Sequence, residues 1–356
     1  MRDDDATVVM RRPPPPPPPG RRGPWLWGGA AVAVAVVLLA AVWGLWLRPV
    51  APPPPSHIAP PTVRPAPPQV VAPPATAPPV TAPKVVAPPP APFPIVTAAE
   101  AAIRDHLATT LTVFRFAPDP RIVVLDFPTL HQQGQMLNRV AALVEKGGLP
   151  RDRVLNDAEL AAAIMASGDT PDTYYFGHDY SAGALVRFFA LADAEHVALN
   201  PEEERLRALL GELGWFAPGV QAGLITIPRA PQEEVAALDA AARATILHHE
   251  LSHGMFFSDP AYAAYVRQFW LTALTEGERT AVRKFLGSEG YDTADEELMY
   301  NEAQAYLLFT PDPRFCQAAN LGMTAARRQE LAVAFLRGMP AGWLHDALAA
   351  DLPTLR

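Results

Sequence analysis

Residues 246–256 read ILHHELSHGMF, with His249-Glu250-Leu251-Ser252-His253 at the centre. A helical pattern leads into this stretch, opening at Pro231 and running through Glu233, Glu234, Val235 and Leu238. On a helix, residues i and i+4 stand one turn apart on the same face. That spacing lets the imidazoles of His249 and His253 converge on one metal ion. Glu250 lies between them, close enough to act on a metal-bound water. His248 lies off this face and reads as a neighbouring or packing residue. Gly254 marks either the helix end or a tight approach of another segment.

A zinc site that works on substrate takes three protein ligands and keeps a fourth position open. The third ligand must come from outside the pentapeptide. A second helical pattern runs from Ala294 to Phe309 and stops before Pro311. It carries Asn301-Glu302-Ala303-Gln304-Ala305-Tyr306, and Glu302 is the candidate third ligand. Glu296 and Glu297 lie near enough in sequence to substitute for it. Asp259, six residues after His253, is the rival. Its other reading is the cap of a helix that opens at Pro260.

The HExxH spacing with a later helical glutamate resembles the gluzincin metallopeptidases. The resemblance covers roughly residues 235–310. It implies Zn2+ held by His249, His253 and Glu302, with Glu250 as general base and a peptide or protein as substrate. Several gluzincin families place an aspartate four residues after the glutamate, where this chain has Tyr306. Metzincins put a ligand where Asp259 stands, but they need a glycine three residues after the second histidine, and here that residue is Phe256. In the implied mechanism Glu250 takes a proton from the water and passes it to the leaving amine. A further donor must meet the oxyanion. Tyr291, Tyr300, Tyr306 and His345 are the candidates, each with an ordinary reading as a packed aromatic or surface histidine. The segment Tyr174-Tyr175-Phe176-Gly177-His178-Asp179-Tyr180 reads as a core-edge loop or a substrate wall.

Around these helices the chain predicts an α+β domain over 95–356, mostly helical and zincin-like, with a small β-sheet. Thr97, with Glu100 three residues on, predicts a capped helix from Thr97 to about Leu111. Strands are expected at Thr112–Phe116, Arg121–Phe127 and Gly223–Ile227. The uniformly apolar run Ile122-Val123-Val124-Leu125 points to a buried strand. Helices are expected at 131–146, at 157–167 with Asp157 as N-cap, at 181–194, at 201–213 after Asn200, and at 325–337.

The N-terminal quarter is different in kind. Most of the 42 prolines precede Pro94. Residues 25–47, WLWGGAAVAVAVVLLAAVWGLWL, form a charge-free run long enough to cross a bilayer as one helix, with Trp25, Trp27, Trp43 and Trp46 at its two ends. A signal peptide is the rival reading, but Arg48-Pro49-Val50-Ala51-Pro52 is a poor cleavage site. Arg2, Arg11, Arg12, Arg21 and Arg22 precede the span, and only Arg48, Arg64 and Lys84 follow it before the domain. This asymmetry keeps residues 1–24, a Pro-rich tail, in the cytoplasm. It also places the C-terminal domain in the periplasm or outside the cell. Residues 48–94 read as a disordered Pro/Ala-rich stalk, from which peptidoglycan is within reach. A net charge of −8 argues against a nucleic-acid partner. The single cysteine, Cys316, excludes a disulfide framework and a cysteine zinc site. The alternative function is a non-enzymatic envelope binding or scaffold protein with a degenerate zincin-like domain. The anchor-stalk-domain layout also resembles that of TonB-type energy transducers, whose terminal domain is smaller and lacks HExxH.

Overall fold

A computed structural model describes residues 93–230 and 238–355. The expected membrane span, the stalk up to residue 92 and the expected helix opening at Pro231 lie outside the described residues. Among the described residues no helix is long and apolar enough to cross a membrane.

The fold is α+β, mostly helical, with one five-stranded mixed sheet. Its strands are β1 (Ile95–Ala98), β2 (Thr112–Phe116), β3 (Ile122–Phe127), β4 (His178–Ser181) and β5 (Gly223–Pro228). They lie in the order β1-β2-β3-β5-β4. Every residue of β3 and β5 is buried, Asp126 and Thr226 included, as in strands covered on both faces. The period of two then splits the core. Val123, Leu125, Phe127 and Leu224 face α2 (Leu130–Val144), α4 (Ala182–Ala194) and α5 (Pro201–Glu212). Phe114, Ile122, Val124, Ile225 and Ile227 face α6 (Ala240–Ser258), the helix that carries the histidines.

Beyond α6 the chain builds a helical half from α7 (Pro260–Ala273), α8 (Glu276–Glu289), α9 (Glu296–Leu308), α10 (Ala325–Gly338) and α11 (Trp343–Asp351). Its own core includes Tyr262, Trp270, Leu286, Leu298, Leu331 and Phe335.

Several expectations need correction. Thr97 does not cap a helix. It lies in β1, whose Ile95, Val96 and Thr97 pair in parallel with Val113, Phe114 and Arg115. Three β-branched residues prefer a strand once a partner is present. The helix shrinks to α1 (Glu100–Arg104), and no side chain caps it. The cap of α3 (Asp157–Ala166) is Asn156, in a reciprocal box with Glu159, not Asp157. Residues 178–181 are an edge strand, antiparallel to β5. Among the described residues α6 starts only at Ala240, where Asp239 Oδ1 accepts the Ala242 amide at 2.8 Å.

The same helix passes through Gly254 and ends at Ser258. The glycine marks the tight approach instead. A Cβ there would stand 2.8 Å from Cγ2 of Ile122, so α6 can press onto β3 only without one. Buried Arg243 fastens the other end of α6. It forks onto Asp126 at 2.9 and 2.8 Å and donates to the carbonyls of Ile103, Arg104 and Pro228.

Candidate metal centre

Helices α6 and α9 pack against each other. A buried chain of hydrogen bonds sets their register. Tyr262 Oη donates to Gln304 Oε1 at 2.9 Å, Gln304 Nε2 to Ser252 Oγ at 2.9 Å, and Ser252 Oγ to the His249 carbonyl at 2.7 Å. This brings the middle of α9 opposite the histidine face. His249, Glu250, His253 and Glu302 have no exposed surface at all. The two imidazole centroids lie 4.9 Å apart. One ligand atom from each of His249, His253 and Glu302 lies within 4.8 Å of the others. These three residues can hold a metal ion.

The polar atoms that face this point are the ones left unpaired. Nε2 of both histidines and both carboxyl oxygens of Glu250 and Glu302 have no hydrogen-bond partner. Unsatisfied buried carboxylates are strongly unfavourable. A cation removes that penalty. The Nδ1 atoms, by contrast, are occupied: His249 meets Thr310 Oγ1 at 2.8 Å and His253 meets Asn301 Oδ1 at 2.9 Å. Each ring is therefore held from behind with Nε2 left to coordinate.

The electrostatics agree. Burial, with His253 nearby, holds His249 well below the usual imidazole range. Burial also brings His253 down to about 3, against the opposing bond to Asn301. Both rings are neutral, the form that ligates a metal. Burial and the charges of Asp179 and Glu145 push Glu250 well above the carboxylate range. Glu302 is raised by burial and by Asp179, Glu145 and Glu250, with Tyr291 pulling the other way. Four fully buried acids, Glu145, Asp179, Glu250 and Glu302, thus bear on one another. A divalent cation among them inverts that logic and lets them ionise.

The centre is closed. β4 runs along α6, and Gly177, just before it, packs directly against the Glu250 carboxyl. A Cβ on Gly177 would stand 2.8 Å from Cδ of Glu250 and nearer still to Oε1. Asp179 Oδ1 lies 3.8 Å from His253 Nδ1. Of the Tyr174–Tyr180 segment, residues 174–177 are a buried loop and His178–Tyr180 belong to the edge strand β4, and Gly177 and Asp179 form one wall of the centre. A separate cleft of about 370 Å3, lined by residues such as Arg139, Arg153, Asn156 and Glu195, includes none of the candidate ligands.

Of the sequence-derived candidates, Glu302 joins the histidines and Asp259 does not. Asp259 Oδ1 is used up as the cap of α7, accepting the amides of Ala261 at 2.8 Å and Tyr262 at 3.2 Å. Glu296 is likewise engaged, accepting from Trp270 Nε1 at 2.8 Å. The Glu297 charge acts on Tyr300 instead.

The tyrosines and His345 divide too. Tyr306 sets its ring edge-on to His249, 4.8 Å between centroids at 81°, and Tyr291 interacts with both Glu302 and Tyr306. The Tyr300 hydroxyl is set among Glu297, Arg267 and Asp295. His345 sits part-exposed on α11 beside Asp346. Neither reaches the centre.

Off the ligand face, His248 bridges Glu100 at 2.6 Å and Asp351 at 2.7 Å. Sequence reasoning missed Thr310 and Glu145, and it named Asn301 only as the neighbour of Glu302 and Gly177 and Asp179 only as part of the Tyr174–Tyr180 segment. Asn301 and Thr310 did carry a signal, as polar residues beside Glu302 and just past the end of its helix.

No family model, curated protein or solved structure matches this chain.

Proposed function

We propose that residues 95–356 form a zinc-dependent metallopeptidase domain. The observation that carries this reading is the convergence of two imidazole Nε2 atoms and the Glu302 carboxylate, all fully buried and without hydrogen-bond partners. Two neutral nitrogens and one carboxylate are the donor set of catalytic zinc sites. When bound, zinc supplies Lewis acidity toward a carbonyl and acidifies water.

The chain's own groups do the rest. Glu250 is unpartnered, fully buried and next in sequence to the ligand His249, and a cation held by the neighbouring ligands would keep it ionised and able to accept a proton. It is fit to take the proton of an attacking water and deliver it to the leaving amine nitrogen. Tyr291 and Tyr306 are the hydroxyls nearest the ligands; Tyr291 bears on both Glu302 and Tyr306, so serving a developing oxyanion would require it to exchange those partners. The sequence of residues 25–47 and its flanking arginines support a single-pass anchor with this domain outside the cytoplasm. The Pro-rich stretch 48–94 supports reach toward envelope peptides, peptidoglycan cross-links included.

Complete burial favours one second reading, a closed structural metal site in a non-enzymatic envelope protein. The unpartnered Glu250, which such a site does not need, weighs against it. The separating experiment is Glu250→Gln in the full-length protein, with metal content and hydrolysis of a mixed peptide library measured together. The expected result is unchanged zinc and a loss of hydrolysis of about 10²- to 10⁴-fold. Unchanged hydrolysis would sink the role given to Glu250. Zinc without hydrolysis in the parent protein would establish the structural reading.

A further inference from the structure

The last turn of α9 leaves backbone carbonyls without helical donors. In this protein a buried cation takes up two of them, together with two carbonyls of the chain that follows. The Arg328 guanidinium on α10 has no exposed surface, and it donates to the carbonyls of Tyr306 at 2.8 Å, Leu307 at 2.9 Å, Thr310 at 2.9 Å and Cys316 at 3.3 Å. Five fixed N–H donors on a planar fork suit this task, and an ammonium does not. The contact fixes the backbone of Thr310 just beyond the helix. Thr310 Oγ1 then lies 2.9 Å from the Ala305 carbonyl and 2.8 Å from His249 Nδ1.

A hydroxyl has one proton. The Ala305 oxygen can only accept, so that proton goes to it. The contact with His249 must therefore be Nδ1–H donating to Oγ1. This leaves the lone pair of His249 on Nε2, facing His253 and Glu302.

We propose that Thr310, held in place by Arg328, is the positioning residue that selects the metal-ligating tautomer of His249. This rests on the metal-binding reading above and adds to it a specific determinant of affinity. The neutral hydroxyl also suits its surroundings. With Glu145, Asp179, Glu250 and Glu302 already buried nearby, a carboxylate behind His249 would add a fifth acid to the cluster.

The test uses full-length protein, stripped of metal and titrated with zinc against a chromophoric chelator, and with Co2+ for its visible spectrum. Thr310→Val keeps the shape and removes the acceptor, Thr310→Ser restores the hydroxyl, and Arg328→Lys loosens the support. Loss of such a partner weakens metal binding by about 10- to 100-fold. The expected pattern is that weakening in Thr310→Val with a shifted Co2+ spectrum, recovery in Thr310→Ser, and an intermediate loss in Arg328→Lys. If Val at this buried position prevents folding, Thr310→Ala serves in its place. Wild-type affinity and an unchanged Co2+ spectrum in the folded Val or Ala variant overturn the proposal while leaving the metal site standing. Failure of the parent protein to take up zinc overturns both.

Discussion

Replacing Gly177 with alanine adds one methyl group at the most sensitive contact of the centre. The backbone tolerates the change, because Gly177 is not among the glycines with positive φ. The added Cβ would stand 2.8 Å from Cδ and 3.3 Å from Cγ of Glu250. Carbon atoms rest at about 3.5–4.0 Å, so the carboxyl must retreat by roughly 1 Å. Glu250 has no exposed surface into which to swing. A displacement of this size in a reacting group costs about 10²-fold in rate, or about 2.7 kcal/mol of barrier. The ligands His249, His253 and Glu302 are not touched. The expected outcome for Gly177→Ala is therefore zinc content equal to the parent, a melting temperature within a few degrees of it, and kcat/KM down by about two orders of magnitude. Parent-like kcat/KM with zinc in place would refute the placement of Glu250 as the base under this wall.

Two further outcomes concern the scaffold. Burial opposes charge on His248, but the bonds to Asp351 and Glu100 outweigh it and raise its pKa to about 9. A raised folded-state pKa adds stability that is complete below the unfolded value of about 6.5 and is lost as pH rises through about 9, at most about 3 kcal/mol. The stability gap between the parent and His248→Gln, read from denaturant melts, should be widest near pH 6 and close by pH 9.5. A gap that widens with pH would contradict the bridge. Gly254→Ala places a Cβ 2.8 Å from Ile122 Cγ2. Overpacking costs about 1–3 kcal/mol, against about 1 kcal/mol gained in helix propensity. Calorimetry should show a melting temperature lower by a few degrees, and a rise would contradict the tight seating of α6 on β3.

The cluster of His249, His253 and Glu302 was legible because its information is local. HExxH needs only the helical period, and Glu302 stands in a strongly helical stretch that ends before Pro311. The strand Thr112–Phe116 and the helix opening at Pro201 after Asn200 were readable for the same reason, through apolar runs and cap chemistry. What the sequence hid depends on partners far along the chain. Ile95–Ala98 becomes a strand because β2 accepts it, although Thr97 and Glu100 mimic a helix cap. His178–Ser181, polar throughout, becomes a strand through pairing with residues 223–226. Gly177 announces a turn as readily as a contact, and only the packing of β4 against α6 shows that its missing side chain makes room for Glu250. Thr310 gains meaning only when the fold of α9 and the reach of Arg328 set it behind His249.

X-ray absorption at the zinc edge of natively purified full-length protein tests the metal centre most directly. The expected first shell is two imidazole nitrogens and one carboxylate oxygen at about 2.0–2.2 Å, with one further light atom and no sulfur. The oxygen contribution should change in Glu302→Gln, and Asp259→Asn should leave the spectrum as it was. A protein that takes up no zinc, or a spectrum that responds to Asp259 and ignores Glu302, would contradict this centre.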